Sequence, residues 1–267
     1  MAPRAPRGPC DERRGGAVFE ILTGRQAVHE ALRAGRRRIG RVLIAEGAEM
    51  RGTLAEIAAL CRERGIPLAS VPRRTLDELA ATTPHQGVAA EVSPYPLANL
   101  EALWARAAER REPPLFLALD SVQDPQNVGS LLRTAEAVGV HGVIIPKHRA
   151  APITPAVSRA SAGAVEHLLV ATVTNLARAL RELKTKGLWV VGVEHHPRAQ
   201  DYRTADLSGP LALVVGSEGR GLGHLILETC DWLIAIPMQG QVNSLNVAVA
   251  GSLILYEAWR RRSAPST

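Results

Sequence analysis

LALVVGSEGRGLG, residues 211–223, joins an apolar run to a glycine-rich turn. The continuous apolar run is typical of a parallel β-strand that is covered on both faces. The glycines at 216, 219, 221 and 223 permit positive φ and a close approach of the backbone to a ligand. The turn lacks both GK[ST] and a G-x-G-x-x-G fingerprint, so taken alone it is more typical of a purely structural turn.

Apolar runs and helical segments alternate on both sides of this stretch. Apolar runs at 115–120, 142–146, 188–194 and 232–237 predict further strands, and helical periodicity appears at 129–138, 175–187, 222–228 and 246–261. Strands that alternate with helices predict an α/β fold with a mostly parallel sheet. Ligands of such sheets bind beyond the carboxyl ends of the strands, where the polar turns lie.

The N-terminal part predicts a smaller α/β unit. Helices are expected at 24–34, 54–64 and 76–81, and strands at 41–45, 66–71 and 87–92. We therefore divide the chain into a disordered tail rich in Pro, Gly and Arg (1–16), an N-terminal domain (17–93), a proline-marked linker with a helical stretch (94–114) and a C-terminal domain (115–267).

Composition narrows the class of protein. A net charge of +6 and a pI near 9.8 suit a polyanionic partner, while 3% aromatic residues disfavour a protein that stacks successive bases of a single strand. Cys10, Cys61 and Cys230 are too scattered for a disulfide framework or a zinc site, and no metal is expected. No secretory signal or membrane-spanning run is visible, which predicts a cytoplasmic protein.

Two further polar turns follow predicted strands. In DSVQDPQNVGSLLRTAEA (120–137), Asn127 is placed to cap a helix that begins near Gly129, and Arg133 lies opposite the apolar stripe of that helix. In IPMQGQVNSLNVAVA (236–250), Ser244 and Asn246 directly precede an apolar helix. Taken alone, Asn127 and Arg133 are better explained as a helix cap and a solvated arginine, whereas capping and a functional role explain Ser244 and Asn246 equally well. Three polar turns in one domain favour a site.

The three turns resemble, in order, the motifs of the SpoU branch of the SPOUT methyltransferases, over about residues 115–262. The segment from FEILTGRQAVHEAL to HQGVAAEV resembles the substrate-binding domain of the members that act on ribosomal RNA. The resemblance implies an S-adenosylmethionine-dependent RNA ribose 2′-O-methyltransferase, with a guanosine of 23S rRNA as its target. It also implies a C-terminal trefoil knot and a homodimer with the site near the subunit interface.

The resemblance also implies the site residues. Gly216, Ile236 and Leu245 match the family's cofactor contacts, and the catalytic set is matched by Asn127, Arg133, Glu218, Ser244 and Asn246. Ala248 departs from the serine that many relatives carry, which we expect to cost one hydrogen bond rather than activity. The adjacent pair His195-His196 is expected at the surface.

Arg133 poses a chemical question, because an ordinary arginine is a very poor base. It either loses its proton under strong perturbation or, as we favour, positions phosphate and stabilises the developing alkoxide. Asn127, Ser244 and Asn246 would orient ribose and cofactor, and Glu218 would hold the loop or Arg133.

Other functions remain open at this stage. A non-catalytic RNA-binding assembly factor explains the charge but not the polar turns. A nucleotide-dependent oxidoreductase requires a glycine-rich turn after the first strand, which the sequence lacks. The same methyl transfer to tRNA or to an rRNA adenosine stays possible within the family.

Overall fold

A computed structural model describes residues 18–81, 84–241 and 244–263. The predicted tail at 1–16 and Cys10 lie outside these residues. Two sheets organise the chain, one in each half, and each is flanked by helices on both faces. The fold class is therefore α/β, as the alternating pattern predicts.

The smaller sheet has the strand order β1-β4-β2-β3. Strands β2 and β3 are parallel, and the β1–β4 and β2–β4 pairs are antiparallel. Helices α1 and α2 cover one face, while α3 packs through Leu76 on the other. The elements are β1 (Glu20–Thr23), α1 (Arg25–Ala34), β2 (Ile39–Ala45), α2 (Thr53–Glu63), β3 (Leu68–Val71), α3 (Arg73–Ala80) and β4 (Val88–Val92).

The larger sheet has the order β7-β6-β5-β10-β8-β11-β9 within the described residues, and its paired strands are all parallel. Its elements are α4 (Leu100–Arg110), β5 (Leu115–Leu119), α5 (Pro125–Ala137), β6 (Gly142–Pro146), α6 (Pro155–Ala160), a 3-10 helix (Ala164–His167), β7 (Val170–Val173), α7 (Leu176–Thr185), β8 (Trp189–Val193), β9 (Gln200–Asp201), β10 (Leu211–Val215), α8 (His224–Thr229), β11 (Trp232–Ala235) and α9 (Val247–Ser263).

Both faces of the larger sheet are buried. Along β5, Leu115, Leu117 and Leu119 pack in the core that α5 and α9 share, whereas Phe116 and Ala118 pack in the core that α4 and α7 share. All five residues of β5 and of β10 are buried. The interpretation of continuous apolar runs as covered parallel strands is confirmed, because successive side chains must enter two different cores.

Several elements were not predicted from the sequence, namely β1, α6, the 3-10 helix, β7 and β9. These elements span six residues or fewer, too short for a periodic pattern to stand out. Helix α5 begins at Pro125, earlier than expected. Its N-cap is Asp124, whose side chain accepts a hydrogen bond from the Gln126 amide at 3.0 Å. The interpretation of Asn127 as the N-cap is therefore wrong.

The predicted linker is packed rather than free. The Ala98 amide donates to the Val170 carbonyl at 2.8 Å and so extends the edge of the larger sheet at β7. Tyr95 is buried in one core of the larger unit. From α4, Leu103 and Trp104 pack into the other core, with Trp104 set edge-on against Phe116. The two units thus meet through an ordered connection.

The two described cysteines, Cys61 and Cys230, are free thiols. Burial raises the pKa of both, and that of Cys230 to about 12. Neither thiol therefore has the thiolate character that a reactive cysteine needs. Among the described residues, no helix is both long and apolar enough to cross a bilayer.

Candidate functional site

Four neighbouring strand ends meet at one edge of the larger sheet. Strands β5, β10, β8 and β11 lie side by side and parallel, so the residues that follow them share this edge. Asp120 follows β5, Gly216 follows β10, Glu194 follows β8 and Ile236 follows β11. The topology therefore brings the predicted polar turns together.

The turn after β10 closes tightly on itself. The Ser217 amide donates to the Gly221 carbonyl at 3.1 Å, and the Gly221 amide returns a bond to the Ser217 carbonyl at 3.0 Å. A Cβ at Gly216 would lie 2.3 Å from the backbone carbon of Gly221. Gly219 and Gly221 have φ of +76° and +63°, which favours glycine at both positions. This glycine pattern is thus required by the turn itself.

Two carboxylates brace the same turn from the neighbouring strands. Asp120 accepts the Gly223 amide at 2.8 Å, and Glu194 accepts the Leu222 amide at 2.7 Å. The two strands flank β10, so the turn is tied on both sides. Hydrogen bonds from backbone amides to charged acceptors are stronger than neutral ones, which makes this an ordered platform.

A hydrogen-bonded cluster links all three sequence motifs. Asn127 on α5 donates to Glu218 Oε1 at 3.0 Å, and Asn246 donates to Asn127 Oδ1 at 3.0 Å. Asn246 also donates to the same oxygen of Glu218. Each pair of the three residues is therefore bonded, although they lie up to 119 residues apart in sequence. We call Asn127, Glu218 and Asn246 the polar cluster.

Helix α9 orients one member of this cluster. The side-chain oxygen of Asn246 accepts the amides of Ala248 at 2.9 Å and of Val249 at 3.2 Å, which is an N-cap. Because the oxygen is used by the helix, the NH2 group must face Asn127 and Glu218. The capping interpretation of Asn246 is confirmed, and the same side chain also joins the cluster.

Two cavities adjoin the turn. The first, of about 460 Å³, is lined by Gly216, Glu218, Ile236, Ser244, Leu245 and Asn246 among others. The second, of about 830 Å³, is lined by Asn127, Asp120, Arg149, Arg220 and His224 among others. Residues 217, 218, 220 and 221 line both cavities, so the turn forms their common wall. The polar cluster spans this wall.

The predicted site residues thus come together, except for Arg133. Arg133 is exposed on α5, opposite the buried stripe as expected, and lines neither cavity. Glu218 contacts Asn127 and Asn246 rather than Arg133, so within one chain it does not hold that arginine.

Sequence reasoning missed several residues of the two cavities. Glu194 and His195 line the first, and Arg149, Arg220 and His224 line the second. Glu194 could have been found, because it directly follows β8 at the same edge as the recognised turns. His195 is exposed, as expected, and nevertheless forms part of the cavity wall.

Comparison with known proteins matches this architecture. The SpoU rRNA methylase family matches residues 114–256, which contain the polar cluster and both cavities. The chain belongs to this family. A second family, described as RNA 2′-O ribose methyltransferase substrate binding, matches residues 21–98 of this SpoU methylase.

Relatives agree over nearly the whole length. YacO of Bacillus subtilis, named as a TrmH family tRNA/rRNA methyltransferase, is 46% identical over 244 residues, covering 91% of this chain and 96% of its own. The SpoU methyltransferase AviRb of Streptomyces viridochromogenes, solved with AdoMet, is 26% identical with a TM-score of 0.74, over 91% of this chain and 90% of its own. An AdoMet-bound rRNA methyltransferase of Sinorhizobium meliloti is 28% identical with a TM-score of 0.74, over 92% of this chain and 88% of its own.

This SpoU methylase is an S-adenosylmethionine-dependent RNA methyltransferase, and its first cavity fits that cofactor. The volume of about 460 Å³ lies in the range of small-molecule sites. Apolar walls from Val193, Ile236 and Leu245 suit an adenine ring, and the carboxylates of Glu194 and Glu218 suit a cationic ligand with hydroxyl groups.

Gly216→Ala is expected to weaken S-adenosylmethionine binding by about tenfold or more, because the added methyl would overpack the wall of the first cavity. Isothermal titration calorimetry measures the effect. Gly209→Ala is the matched control, since nothing lies within 4 Å of its Cβ position. Equal affinities of the two variants would show that the turn does not shape the cofactor cavity.

Proposed function

We propose that the protein transfers the methyl group of S-adenosylmethionine to a ribose 2′-hydroxyl of RNA. The observation that carries the proposal is the polar cluster, which spans the wall between a cavity that fits the cofactor and a second, larger one. A donor on one side and an acceptor on the other would meet at Glu218. Holding the two reactants in line is the main contribution that the enzyme makes to such a transfer.

The second cavity is proposed as the acceptor side. Arg149, Arg220 and His224 line it, and the two arginines suit phosphate oxygens. Its volume of about 830 Å³ accommodates a nucleotide rather than a single ion. Ribose and phosphate contacts, rather than aromatic stacking, agree with the low aromatic content of 3%.

In this mechanism the protein aligns the acceptor and manages its proton. Bound S-adenosylmethionine supplies a methyl group that its sulfonium already activates. Asn127, Ser244 and Asn246 orient ribose and cofactor, and Glu218 fixes both amides while it offers an acceptor oxygen to the 2′-hydroxyl. Arg133 stabilises the developing alkoxide or holds an adjacent phosphate, because its guanidinium is a very poor base.

Ribosomal RNA, with a guanosine of 23S rRNA as target, is the proposed substrate. The match of residues 21–98 to a substrate-binding family supports an RNA larger than the methyltransferase site alone can select. The S. meliloti relative is named an rRNA methyltransferase, whereas YacO is named a tRNA/rRNA methyltransferase. Transfer RNA is therefore the alternative. The cytoplasmic location remains a prediction.

A trefoil knot is also proposed for the C-terminal domain. The strand order supports it, because β10 inserts between β5 and β8, which both precede it in the chain. The turns after β8, β10 and β11 would then be the knotted loops around the cofactor.

A homodimer is proposed from an exposed apolar face. Leu253 and Tyr256 of α9 are 45% and 51% exposed, and they form a helical stripe with the equally exposed Val249 and Trp259. A contiguous apolar patch of this kind marks a contact surface. Helix α5 adjoins it, since Thr134 and Ser252 share a hydrogen bond of 2.8 Å. The exposed Arg133 would thereby approach the partner subunit.

Leu253→Arg is expected to convert the dimer into a monomer, because the introduced charge would lose its hydration in the interface without gaining a partner. Size-exclusion chromatography with light scattering measures the mass. Leu68→Arg serves as control, since Leu68 is 41% exposed on β3 of the smaller unit. An unchanged mass of the Leu253 variant would contradict this face as the interface.

The methyl-transfer proposal is tested with purified protein, labelled S-adenosylmethionine and separate rRNA and tRNA fractions. We expect label in rRNA at a nucleotide that resists alkaline cleavage, because a 2′-O-methyl group blocks that reaction. Mass spectrometry then assigns the nucleotide. Label on a base, or label only in tRNA, would contradict the ribose or the rRNA assignment respectively.

A further inference from the structure

Glu194 is not among the residues that the family resemblance implies for the site. It follows β8, is half-buried, and lines the first cavity together with Ile236 and Leu245. Its Oε2 accepts the Leu222 amide at 2.7 Å. A Cβ at Gly221 would lie 2.1 Å from that same oxygen, so the carboxylate rests directly against the turn. Its position is therefore well defined.

The second oxygen of this carboxylate is free for a ligand. Within the part of the chain that the structure describes, Glu194 Oε1 takes part in no hydrogen bond, and the carboxylate forms no ion pair with a lysine or arginine. The lining of this cavity is mixed, with Val193, Ile236 and Leu245 beside polar groups, and a partly buried carboxylate oxygen is stabilised when a donor group pairs with it. In a cavity that fits a small molecule, a donor group of the bound ligand is the natural partner.

We propose that Glu194 binds the ribose hydroxyls of S-adenosylmethionine and thereby ties the cofactor to the turn that forms the cavity wall. The inference rests on the proposed methyl-transfer site and adds a residue to it. A carboxylate accepts hydrogen bonds from ribose hydroxyls in other nucleotide sites of parallel α/β sheets, where it also follows a strand.

Strand order favours the ribose over the amino-acid arm of the cofactor. Glu218 follows β10 and lines both cavities, so the methyl group of a donor bound in the first cavity would lie near Glu218. Glu194 follows the next strand, β8, which lies about 4.8 Å beyond β10 in the sheet, and it lines the first cavity but not the second. Hydroxyls on the adenosine side of the sulfur would therefore lie opposite Glu194.

Glu194→Gln tests the proposal, because glutamine can still accept the Leu222 amide but lacks the charge. Calorimetry with S-adenosylmethionine and with 5′-methylthioadenosine, which keeps the ribose but lacks the ammonium group, is expected to show a similar loss of about tenfold for both. The 2′,3′-dideoxy form of the thioether should bind the variant and the parent protein equally.

Asp120→Asn is the matched control. Asp120 braces the same turn through the Gly223 amide at 2.8 Å, but it lines the second cavity. The affinity of the Asp120→Asn variant for 5′-methylthioadenosine is expected to stay within about twofold of that of the parent protein, since the substitution alters only a hydrogen bond that supports the turn.

Two outcomes would overturn the assignment. A loss confined to S-adenosylmethionine would place the ammonium group at Glu194, and an equal loss for the dideoxy compound would reduce Glu194 to a brace. Failure of the parent protein to bind S-adenosylmethionine at all would instead reject the proposed function. Thermal melts of each variant confirm that the protein remains folded.

Discussion

Arg133→Ala is expected to lower methyl transfer by about 10²–10³-fold while leaving the affinity for S-adenosylmethionine within a few-fold. Arg133 lines neither cavity of its own chain, so its loss should not disturb the cofactor. A positive group that interacts with negative charge developing only in the transition state affects turnover rather than binding. Single-turnover transfer and calorimetry measure the two effects separately. Near-normal turnover would remove Arg133 from the catalytic set.

Mixing two impaired variants shows whether Arg133 serves the partner subunit. Arg133→Ala and Asn246→Ala are each expected to retain only a small fraction of the parent activity when assayed alone. If the arginine acts across the dimer, a mixed dimer has one intact site, formed by Asn246 of one subunit and Arg133 of the other. Activity that rises on mixing supports this arrangement. Absence of recovery in a mixed dimer that has been shown to form would place Arg133 in its own subunit's site.

Arg37→Ala is expected to lower the free energy of unfolding by about 3–5 kcal/mol. The Arg37 side chain is fully buried between the two units, with Glu20 at 3.2 Å and Glu166 at 3.6 Å. Removing Arg37 leaves the equally buried Glu166 without its ion-pair partner. The remaining hydrogen bond of the Glu166 carboxylate comes from the Ser158 hydroxyl at 2.8 Å. Denaturant titration of the full chain measures the change.

Arg38→Ala is the control for this prediction. Arg38 is exposed and lies over the Phe19 ring at 5.0 Å, so its loss should cost about 1 kcal/mol or less. The double variant Arg37→Met, Glu166→Gln should recover part of the lost stability, because no buried charge remains unpaired. Equal effects of Arg37→Ala and Arg38→Ala would contradict a buried ionic junction.

The loss of unfolding free energy caused by Arg37→Ala should also depend on pH. Burial raises the pKa of Glu166, and Arg37 opposes that shift. A carboxyl whose folded pKa is raised binds more protons in the folded state, so its contribution to stability is larger at low pH and is lost as pH rises. Without Arg37 the pKa rises further. The difference between variant and parent should therefore shrink from about pH 8 to about pH 5.

The sequence predicts those elements that interactions between residues close in sequence determine, and it misses those held by residues distant in sequence. Strands β5 and β10 were predicted because burial on both faces produces unbroken apolar runs. Strand β7 was missed, since its four residues are held by a neighbouring strand and by Ala98 of a distant segment. The start of α5 was misplaced because both Asp124 and Asn127 are good capping residues and local sequence does not choose between them.

Resemblance of three turns to known motifs identified Asn127, Glu218 and Asn246, but not how they contact one another. Local sequence accounted for Asn246 as a helix cap, and the fold added its bonds to Asn127 and Glu218. Glu194 carried no motif, although its place after β8 was visible. A carboxylate becomes a candidate ligand only when a cavity forms around it.

The linear chain alone predicted the α/β class and located the turns that carry the polar residues. These features follow from the periodicity of apolar side chains and the backbone freedom of glycine, which act over a few residues. Three-dimensional packing decided the bonding of the polar cluster, the two cavities that share one wall and the burial of Arg37. Those depend on strand order, which brings residues more than 90 positions apart into contact.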